Sequence, residues 1–208
     1  MTPLLRDRRA LVAGSLAVTA ALTLAGCGSS DPAADSSDSP AKTRTVSTAN
    51  GDVDVPASPK RVVVLDSGEL DSAITLGVRP VGATHSASED AFPTYLPASE
   101  TKDITPVGEI ANANLESVAA LKPDLILTSK VRDGERYDEL SKIAPTVMTE
   151  ATGSAWKENF QVHAEALGKQ AEAKKVLATY DAQVAKVTKA LGGKEKAAAT
   201  DVNFVRFV

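Results

Sequence analysis

The apolar run RVVVL at residues 61–65 limits the possible folds more than any other segment of this chain. Such an unbroken run is typical of a strand that is buried on both faces of a parallel sheet, whereas a half-exposed strand alternates apolar and polar residues. A short helix is predicted from Glu69 to Leu76, where Gly77 ends it, and a second strand from Pro80 to Ala83. Strand, helix and strand in this order predict a parallel α/β sheet with right-handed connections.

The same alternation of strands and helices continues to residue 148. We therefore expect residues 43–154 to form one N-terminal, Rossmann-like α/β lobe with a parallel sheet. Its further predicted elements are a helix over 115–121 that Asn114 caps, a strand over 125–129, a helix over 134–144 and a strand from Thr146 to Met148.

A hairpin is predicted before the first parallel strand. The stretch TRTVSTANGDVDVPASP at 43–59 alternates β-branched and polar residues around Asn50-Gly51. This dipeptide readily supplies the positive φ angles of a two-residue hairpin turn, so we expect the turn there.

The C-terminal part reads differently. Residues 155–193 are nearly all helix formers up to Leu191, with Gly168 as the interruption, and they predict a long connecting helix that Gly168 could kink. Residues 194–208 end in DVNFVRFV, which is predicted as a strand without a partner. A lone strand is a poor domain end, so we expect the chain to be a fragment whose second α/β lobe, roughly 100–150 residues, is truncated.

The N-terminus carries an export signal. Residues 1–27 comprise the basic start MTPLLRDRR, the apolar run ALVAGSLAVTAALTL and the ending LAGC. The apolar run is shorter than the ~20 residues of a membrane-spanning helix. Its ending resembles the bacterial lipobox, in which the cysteine, here Cys27, becomes lipidated; a lone buried or free cysteine is the alternative. Arg8-Arg9 leaves twin-arginine export open beside the general route. Residues 28–42 are rich in Ser, Asp, Pro and Ala and predict a disordered tether.

Composition and motifs exclude several classes of function. The formal net charge is −4 and no long basic run occurs, so nothing indicates nucleic-acid binding. The sequence has no Gly-x-Ser-x-Gly elbow, glycine-rich phosphate loop or metal motif, and we predict that the chain is not an enzyme. The histidine cluster that a direct metal-ion binder needs is absent as well, so no metal site is predicted.

Several motifs together resemble a known family. They are PKRVVVL, ELD, LGVRPVGA, VGE, NLESVAALKPDLILTS, YDELSKIAPT, WKENF and VRF. With the lipobox, hairpin and long helix, the chain from about Cys27 to Val208 resembles the iron-siderophore branch of the substrate-binding lipoproteins that serve ABC importers. Vitamin B12 and haem binders belong to the same family.

The resemblance implies a fold and a function. It implies two α/β lobes joined by a rigid long helix, with the ligand held between the lobes; the absent C-terminal lobe is the departure. The implied ligand is an Fe(III)-siderophore, with hydroxamate chelates as the first expectation, and no cofactor. By this resemblance, we expect a monomer that is lipid-anchored on the extracytoplasmic face of the cell membrane. It would deliver its ligand to an ABC permease. A cobalamin or haem receptor, or an exported structural lipoprotein without ligand, remains the alternative.

Candidate ligand-binding residues come from the loops that follow the strands, because open parallel sheets bind ligands outside the carboxyl ends of their strands. By resemblance, Arg132 lies where related binders place an arginine on the iron-chelating oxygens; an arginine that only meets solvent at a helix start is the alternative. Trp156 could form an aromatic wall or simply anchor a helix, and Arg206 could face the cleft from the other side. His163 is interpreted as structural. The predicted ligand-binding residues are Arg132, Lys130, Trp156, Arg206, Ser67 and His85.

Glu116 is the remaining candidate. The apolar stripe of the predicted helix leaves Glu116 in the first turn, facing solvent. By resemblance, this glutamate of NLE docks the first lobe onto arginines of the permease. The alternative is that Glu116 only complements the helix dipole, which contributes about 0.3–1 kcal/mol.

Overall fold

The computed structural model describes residues 42–88, 92–203 and 205. Predictions for Cys27, for the signal segment 1–27, for nearly all of the tether 28–42 and for Arg206 therefore lie outside the described residues. The strands are β1 Thr43–Thr48, β2 Gly51–Pro56, β3 Val62–Val64, β4 Gly82–His85, β5 Thr105–Glu109, β6 Asn112–Ala113, β7 Leu125–Ser129 and β8 Thr146–Thr149. The α-helices are α1 Ser67–Thr75, α2 Ala98–Thr101, α3 Leu115–Ala120, α4 Lys130–Asp133, α5 Tyr137–Ile143, α6 Trp156–Leu167, α7 Gln170–Ala190 and α8 Lys194–Ala198.

The predicted parallel α/β sheet is confirmed. Six strands lie in the order β6-β5-β4-β3-β7-β8, and all neighbours are parallel except β5 and β6. From β3 the chain adds strands first on one side and then, from β7 onwards, on the other. The strand order therefore reverses between β3 and β7, and this boundary is the topological switch point of the sheet.

Alternate side chains of the central strands supply two separate cores. Val62 and Val64 belong to a cluster with residues of α1 and α6, whereas Val63 belongs to a cluster with residues of α3 and α5. Because successive strand residues point to opposite faces, an entirely apolar β3 requires helices on both faces. This is the physical reason why the apolar run predicts the fold so well.

The hairpin is confirmed, but its turn lies one residue earlier than predicted. β1 and β2 pair antiparallel with Thr48 opposite Gly51, so Ala49 and Asn50 form the loop. Only Gly51 has a positive φ in this turn, at +95°. A turn that is followed by a glycine in the left-handed conformation also matches the twist of the two strands. The Asn-Gly pair therefore predicts the hairpin correctly but places the centre of the turn one residue too late.

The prediction of one long connecting helix needs correction, because the structure divides this segment into α6 and α7 at Gly168. Gly168 adopts φ +70° and ψ +33°, and the Lys169 N–H bonds the Ala164 carbonyl, so the helix ends there. A Cβ at Gly168 would lie 2.6 Å from Nη2 of Arg44 and 3.0 Å from the Ala57 oxygen. Close packing of the hairpin segment against this corner therefore turns the expected kink into a break.

Other predicted boundaries need correction. The helix predicted over 134–144 begins earlier, with α4 directly after β7 and a single 3₁₀ turn at Gly134–Arg136 before α5. Lys130 and Arg132, predicted to lie in the loop that follows a strand, thus lie on a helix. The described residues of the strand predicted at 201–208, namely 201–203 and 205, have no strand partner and no regular structure. The structure also adds α2, β5, β6 and α8, which the sequence patterns did not predict.

Candidate functional site

The candidate site lies where the carboxyl ends of β3 and β7 meet at the switch point of the sheet. Asp66 follows β3 and caps α1, and α4 follows β7 and carries Arg132. A cleft opens in front of these two elements, as expected for a doubly wound sheet.

Asp66 and Arg132 form an ion pair across the switch point. Arg132 Nε donates to Asp66 Oδ2 at 2.7 Å, while Asp66 Oδ1 accepts from the Ser67 N–H at 2.7 Å. The Asp66 side chain is 7% exposed and the Arg132 side chain 38% exposed. The hydrogen bond to Asp66 raises the pKa of the Arg132 guanidinium above its already high usual value. The cleft therefore presents a permanently charged guanidinium.

A second acidic group lies behind this pair. Asp133 is buried, accepts from the Thr128 hydroxyl at 2.6 Å, and has Arg136 Nη1 3.6 Å from its other oxygen. Burial raises the pKa of the Asp133 carboxyl, whereas the Thr128 hydrogen bond and the Arg136 charge lower it. Arg136 also donates to the Ala113 carbonyl at 2.6 Å. These contacts fix α4 and the following turn against the end of β7.

The cleft has a volume of about 650 Å³. That size falls in the range of small-molecule binding sites. Residues of α1, of α4, of the segment before α6, of α6 itself and of α7 line it. Its lining comprises Asp66, Ser67, Gly68, Glu69, Asp71, Ser72, Thr75, Arg132, Thr152, Gly153, Trp156, Asn159, Phe160, His163 and Val176.

A buried polar cluster forms the floor of the cleft. Ser72 Oγ donates to the Gly68 carbonyl at 2.7 Å, so it accepts from Nδ1 of His163 at 2.9 Å. His163 Nε2 then faces Glu69 Oε1 at 3.6 Å, and both side chains are at most 3% exposed. His163 is thus a link between α6 and α1.

Asp71 also lines the cleft. Burial raises the pKa of its carboxyl, and hydrogen bonds from the Tyr95 hydroxyl, 3.0 Å from each carboxylate oxygen, partly oppose that rise. The acidic groups Asp66, Glu69 and Asp71 thus line the cleft together with one guanidinium, that of Arg132.

Trp156 lines the cleft and packs against a second aromatic ring, that of Tyr180. The rings of Trp156 and Tyr180 meet edge to face with centroids 4.9 Å apart, and Lys157 Nζ lies 4.5 Å from the Tyr180 centroid. Lys157 also pairs with Asp181 at 3.0 Å. Trp156 remains 42% exposed, so its ring is accessible to a ligand in the cleft. It anchors the start of α6 and lines the cleft at the same time.

The structure brings together three of the six predicted ligand-binding residues. Ser67, Arg132 and Trp156 line one cleft. Lys130 instead pairs with Glu150 at 3.5 Å, and His85 Nδ1 donates to the Ser86 carbonyl at 3.0 Å; neither lines this cleft.

Glu116 occupies the predicted position. Asn114 caps α3 by accepting from the Ser117 N–H at 2.9 Å, as predicted, and Glu116 is exposed in the first turn. No other part of the described chain forms an ion pair with Glu116.

The sequence does not predict the contacts of the acidic and imidazole members of the site. Asp66 lies in the loop that follows a buried strand and precedes a helix, which is an N-cap pattern, but its pairing with Arg132 has no local signal. Glu69 and His163 left no such signal, since their contact joins α1 to α6 across the tertiary fold.

The described residues contain no group of three or more His, Cys, Asp or Glu side chains arranged to hold a metal ion. No helix within the described ranges has the length and hydropathy to cross a membrane.

The chain is similar in sequence to known proteins. The family model described as periplasmic binding protein matches residues 62–203. The probable siderophore-binding lipoprotein YfiY of Bacillus subtilis is 38% identical over 187 residues, covering 89% of this chain and 57% of YfiY. The iron(3+)-hydroxamate-binding protein FhuD of Bacillus subtilis is 34% identical, covering 86% of this chain and 56% of FhuD.

A solved structure supports the same likeness. Staphylococcus aureus SirA, complexed with staphyloferrin B, is 42% identical with a TM-score of 0.67, and the match covers 71% of this chain and 50% of SirA. The chain thus spans about half the length of the relatives it matches.

Proposed function

We propose, from the premise that this chain belongs to the periplasmic binding protein family, that it captures an Fe(III)-siderophore and delivers it to an ABC importer. The observation that carries the proposal is the cleft at the sheet's switch point, into which Arg132 brings a fixed charge beside the aromatic ring of Trp156. Guanidinium donors suit the negatively polarised oxygens that surround a chelated ferric ion. YfiY is described as a probable siderophore-binding lipoprotein and FhuD as an iron(3+)-hydroxamate-binding protein, and SirA was solved in complex with staphyloferrin B.

A hydroxamate chelate is the proposed ligand class. Three hydroxamates neutralise Fe(III), so the complex carries no excess negative charge. The cleft described above holds three carboxylates and one guanidinium, with Asp66 neutralised by Arg132 and Glu69 facing His163. A neutral chelate fits this balance better than a polyanionic one, because uncompensated like charges disfavour association.

The rival ligands are less well supported. A haem receptor needs an axial side chain at the cleft. Met148 is fully buried in the core, His85 does not line the cleft, and His163, which does line it, is buried and bonded to Ser72. No particular contact of the described residues favours a cobalamin receptor or a structural lipoprotein.

The proposed location is the extracytoplasmic face of the cell membrane. Cys27 would carry the lipid, and residues 28–42 would tether the folded part, as the lipobox and the composition indicate. The name of YfiY includes the word lipoprotein, which agrees with this proposal.

Ligand binding can be measured directly. Trp156 is the only tryptophan of the chain and lines the cleft, so its fluorescence should be quenched by a coloured ferric chelate. The probes are ferrichrome, which is a neutral ferric trihydroxamate, a ferric tris-catecholate, cobalamin and haem. Saturable quenching by ferrichrome supports the proposal, whereas quenching by cobalamin or haem alone would replace it with one of the rivals.

The Arg132→Ala substitution is expected to weaken ferrichrome binding roughly ten- to a hundredfold. The reason is the loss of a charge-assisted hydrogen bond inside the cleft, typically worth ~1.5–3 kcal/mol. Arg79→Ala is the matched control, because Arg79 pairs with Glu100 and Asp103 away from the cleft. Equal affinities of the two variants would remove Arg132 from the proposed site.

Glu116 is the proposed docking residue for the permease. Glu116→Arg is expected to reduce uptake in cells while ferrichrome affinity and melting temperature stay near the wild-type values, because a reversed charge repels permease arginines. Glu139→Arg is the control, since Glu139 is likewise an exposed first-turn glutamate, on α5. Wild-type uptake with Glu116→Arg would leave only the helix-dipole role.

A further inference from the structure

We propose that Asp66 is a positioning residue for ligand recognition, which holds Arg132 by its Nε–H and leaves the two terminal amino groups for a pair of adjacent ligand oxygens. This inference rests on the proposed function, in which Arg132 contacts the chelate. It adds a residue that itself need not touch the ligand and assigns the edge of the guanidinium that does.

Asp66 is anchored well enough to orient another side chain. Its Oδ1 accepts from the backbone N–H of Ser67 at 2.7 Å as the cap of α1, and its Oδ2 accepts from Arg132 Nε at 2.7 Å. The carboxylate cannot rotate without losing one of these bonds. The backbone of β3 and α1 therefore fixes Asp66, and Asp66 fixes Arg132.

The contact leaves a defined part of Arg132 free. In the described part of the chain, Arg132 makes no hydrogen bond except through Nε, and it lines the cleft. The remaining edge of a guanidinium presents two parallel N–H donors, which match two adjacent oxygens. Hydroxamate, catecholate and carboxylate groups all offer such oxygen pairs.

The pair also links two separate parts of the fold. Asp66 and Arg132 are 66 positions apart and follow β3 and β7, the strands on either side of the switch point. An arginine on a short helix would otherwise sample many rotamers, and ordering it on binding would reduce affinity. The ion pair meets this cost during folding, so the guanidinium is already in place when the ligand arrives.

A purely structural clamp between α1 and α4 is the competing explanation, and two variants separate it from positioning. Asp66→Asn and Asp66→Ser both retain a good helix cap, but neither offers Arg132 a carboxylate. Each is expected to weaken ferrichrome binding about two- to tenfold, as a loss of preorganisation implies. Because ferrichrome is neutral, removal of the Asp66 charge does not by itself alter long-range attraction.

The decisive measurement is a double-mutant cycle. In the Arg132→Ala background, Asp66→Asn should have no further effect on ferrichrome affinity, since Asp66 acts through Arg132. Unchanged affinity of the single Asp66→Asn variant, or an equal loss in both backgrounds, would overturn the proposal.

A ligand-free readout keeps this proposal separate from the proposed function. In the unliganded protein, the Arg132 Nε–H should give a slowly exchanging NMR signal that Asp66→Asn abolishes. If the wild-type protein binds no ferric chelate, the proposed function fails. If the Nε–H signal is insensitive to Asp66→Asn, positioning fails whatever the protein binds.

Discussion

The His163→Leu substitution is expected to lower the free energy of unfolding by about 1–3 kcal/mol. Removal of one partner of a buried polar contact leaves the other partner buried without compensation, which typically costs about 1–3 kcal/mol. His163 and Glu69 face each other at 3.6 Å on the floor of the cleft, and both are almost fully buried. The substitution also leaves Ser72 Oγ without its donor. Urea unfolding followed by circular dichroism measures the effect.

The double variant Glu69→Leu/His163→Leu is the control for this prediction. Replacement of a whole buried pair by apolar residues is often neutral or stabilising, so the double variant should recover most of the loss. If the two single losses were simply additive, the pair would not be coupled across α1 and α6. A loss below about 1 kcal/mol for His163→Leu would resemble the effect of an ordinary surface substitution. It would show that the buried contacts of His163 contribute little to stability.

The sequence predicts the sheet well because burial of a central strand leaves a local signal. Val62 to Val64 are all buried, and each side chain alternately reaches one of two cores. β5 left a weaker signal, since Pro106 and Gly108 are unusual in a strand interior. Gly108 has φ +110° and its absent Cβ would lie 2.8 Å from the Asn112 oxygen, so the bend toward β6 requires glycine there.

The candidate site could be predicted only in part. Arg132 and Trp156 were found because their loops follow strands or start a helix, which are local features. The partners that define the site's electrostatics were not local: Asp66 meets Arg132 across 66 positions, and Ser72 meets His163 across 91. Periodicity shows which residues face inward, but it does not show which buried polar groups pair. A histidine at a core position therefore looks structural until its partner is known.

The same limit applies to the long helix. Helix propensity continues across Gly168 into residues on both sides, so the sequence pattern favours one helix. The break depends on the approach of Arg44, whose guanidinium donates to the Ala57 carbonyl, against the corner at Gly168. Tertiary packing thus overrides propensity at this one position.

The Leu127→Ala substitution is expected to cost about 2–5 kcal/mol of stability, as for other buried leucines. Leu127 is fully buried in β7, between Val64 of β3 and Val147 of β8, and all three belong to the same core cluster. Strands on both sides hold the backbone in place, so the surrounding residues cannot easily fill the space left by the lost side chain.

Two further variants test the cause of that loss. Leu127→Met keeps the volume and should cost less than about 1.5 kcal/mol. Leu191→Ala removes the same side chain at a site that is 47% exposed, and its effect should stay within about 0.5 kcal/mol. Urea unfolding of the three variants shows whether the loss comes from the packing of Leu127 or from the removal of any leucine side chain. A loss for Leu127→Ala no larger than that for Leu191→Ala would contradict a packed centre at the β3–β7 boundary, and with it the rigid support on which the Asp66–Arg132 geometry depends.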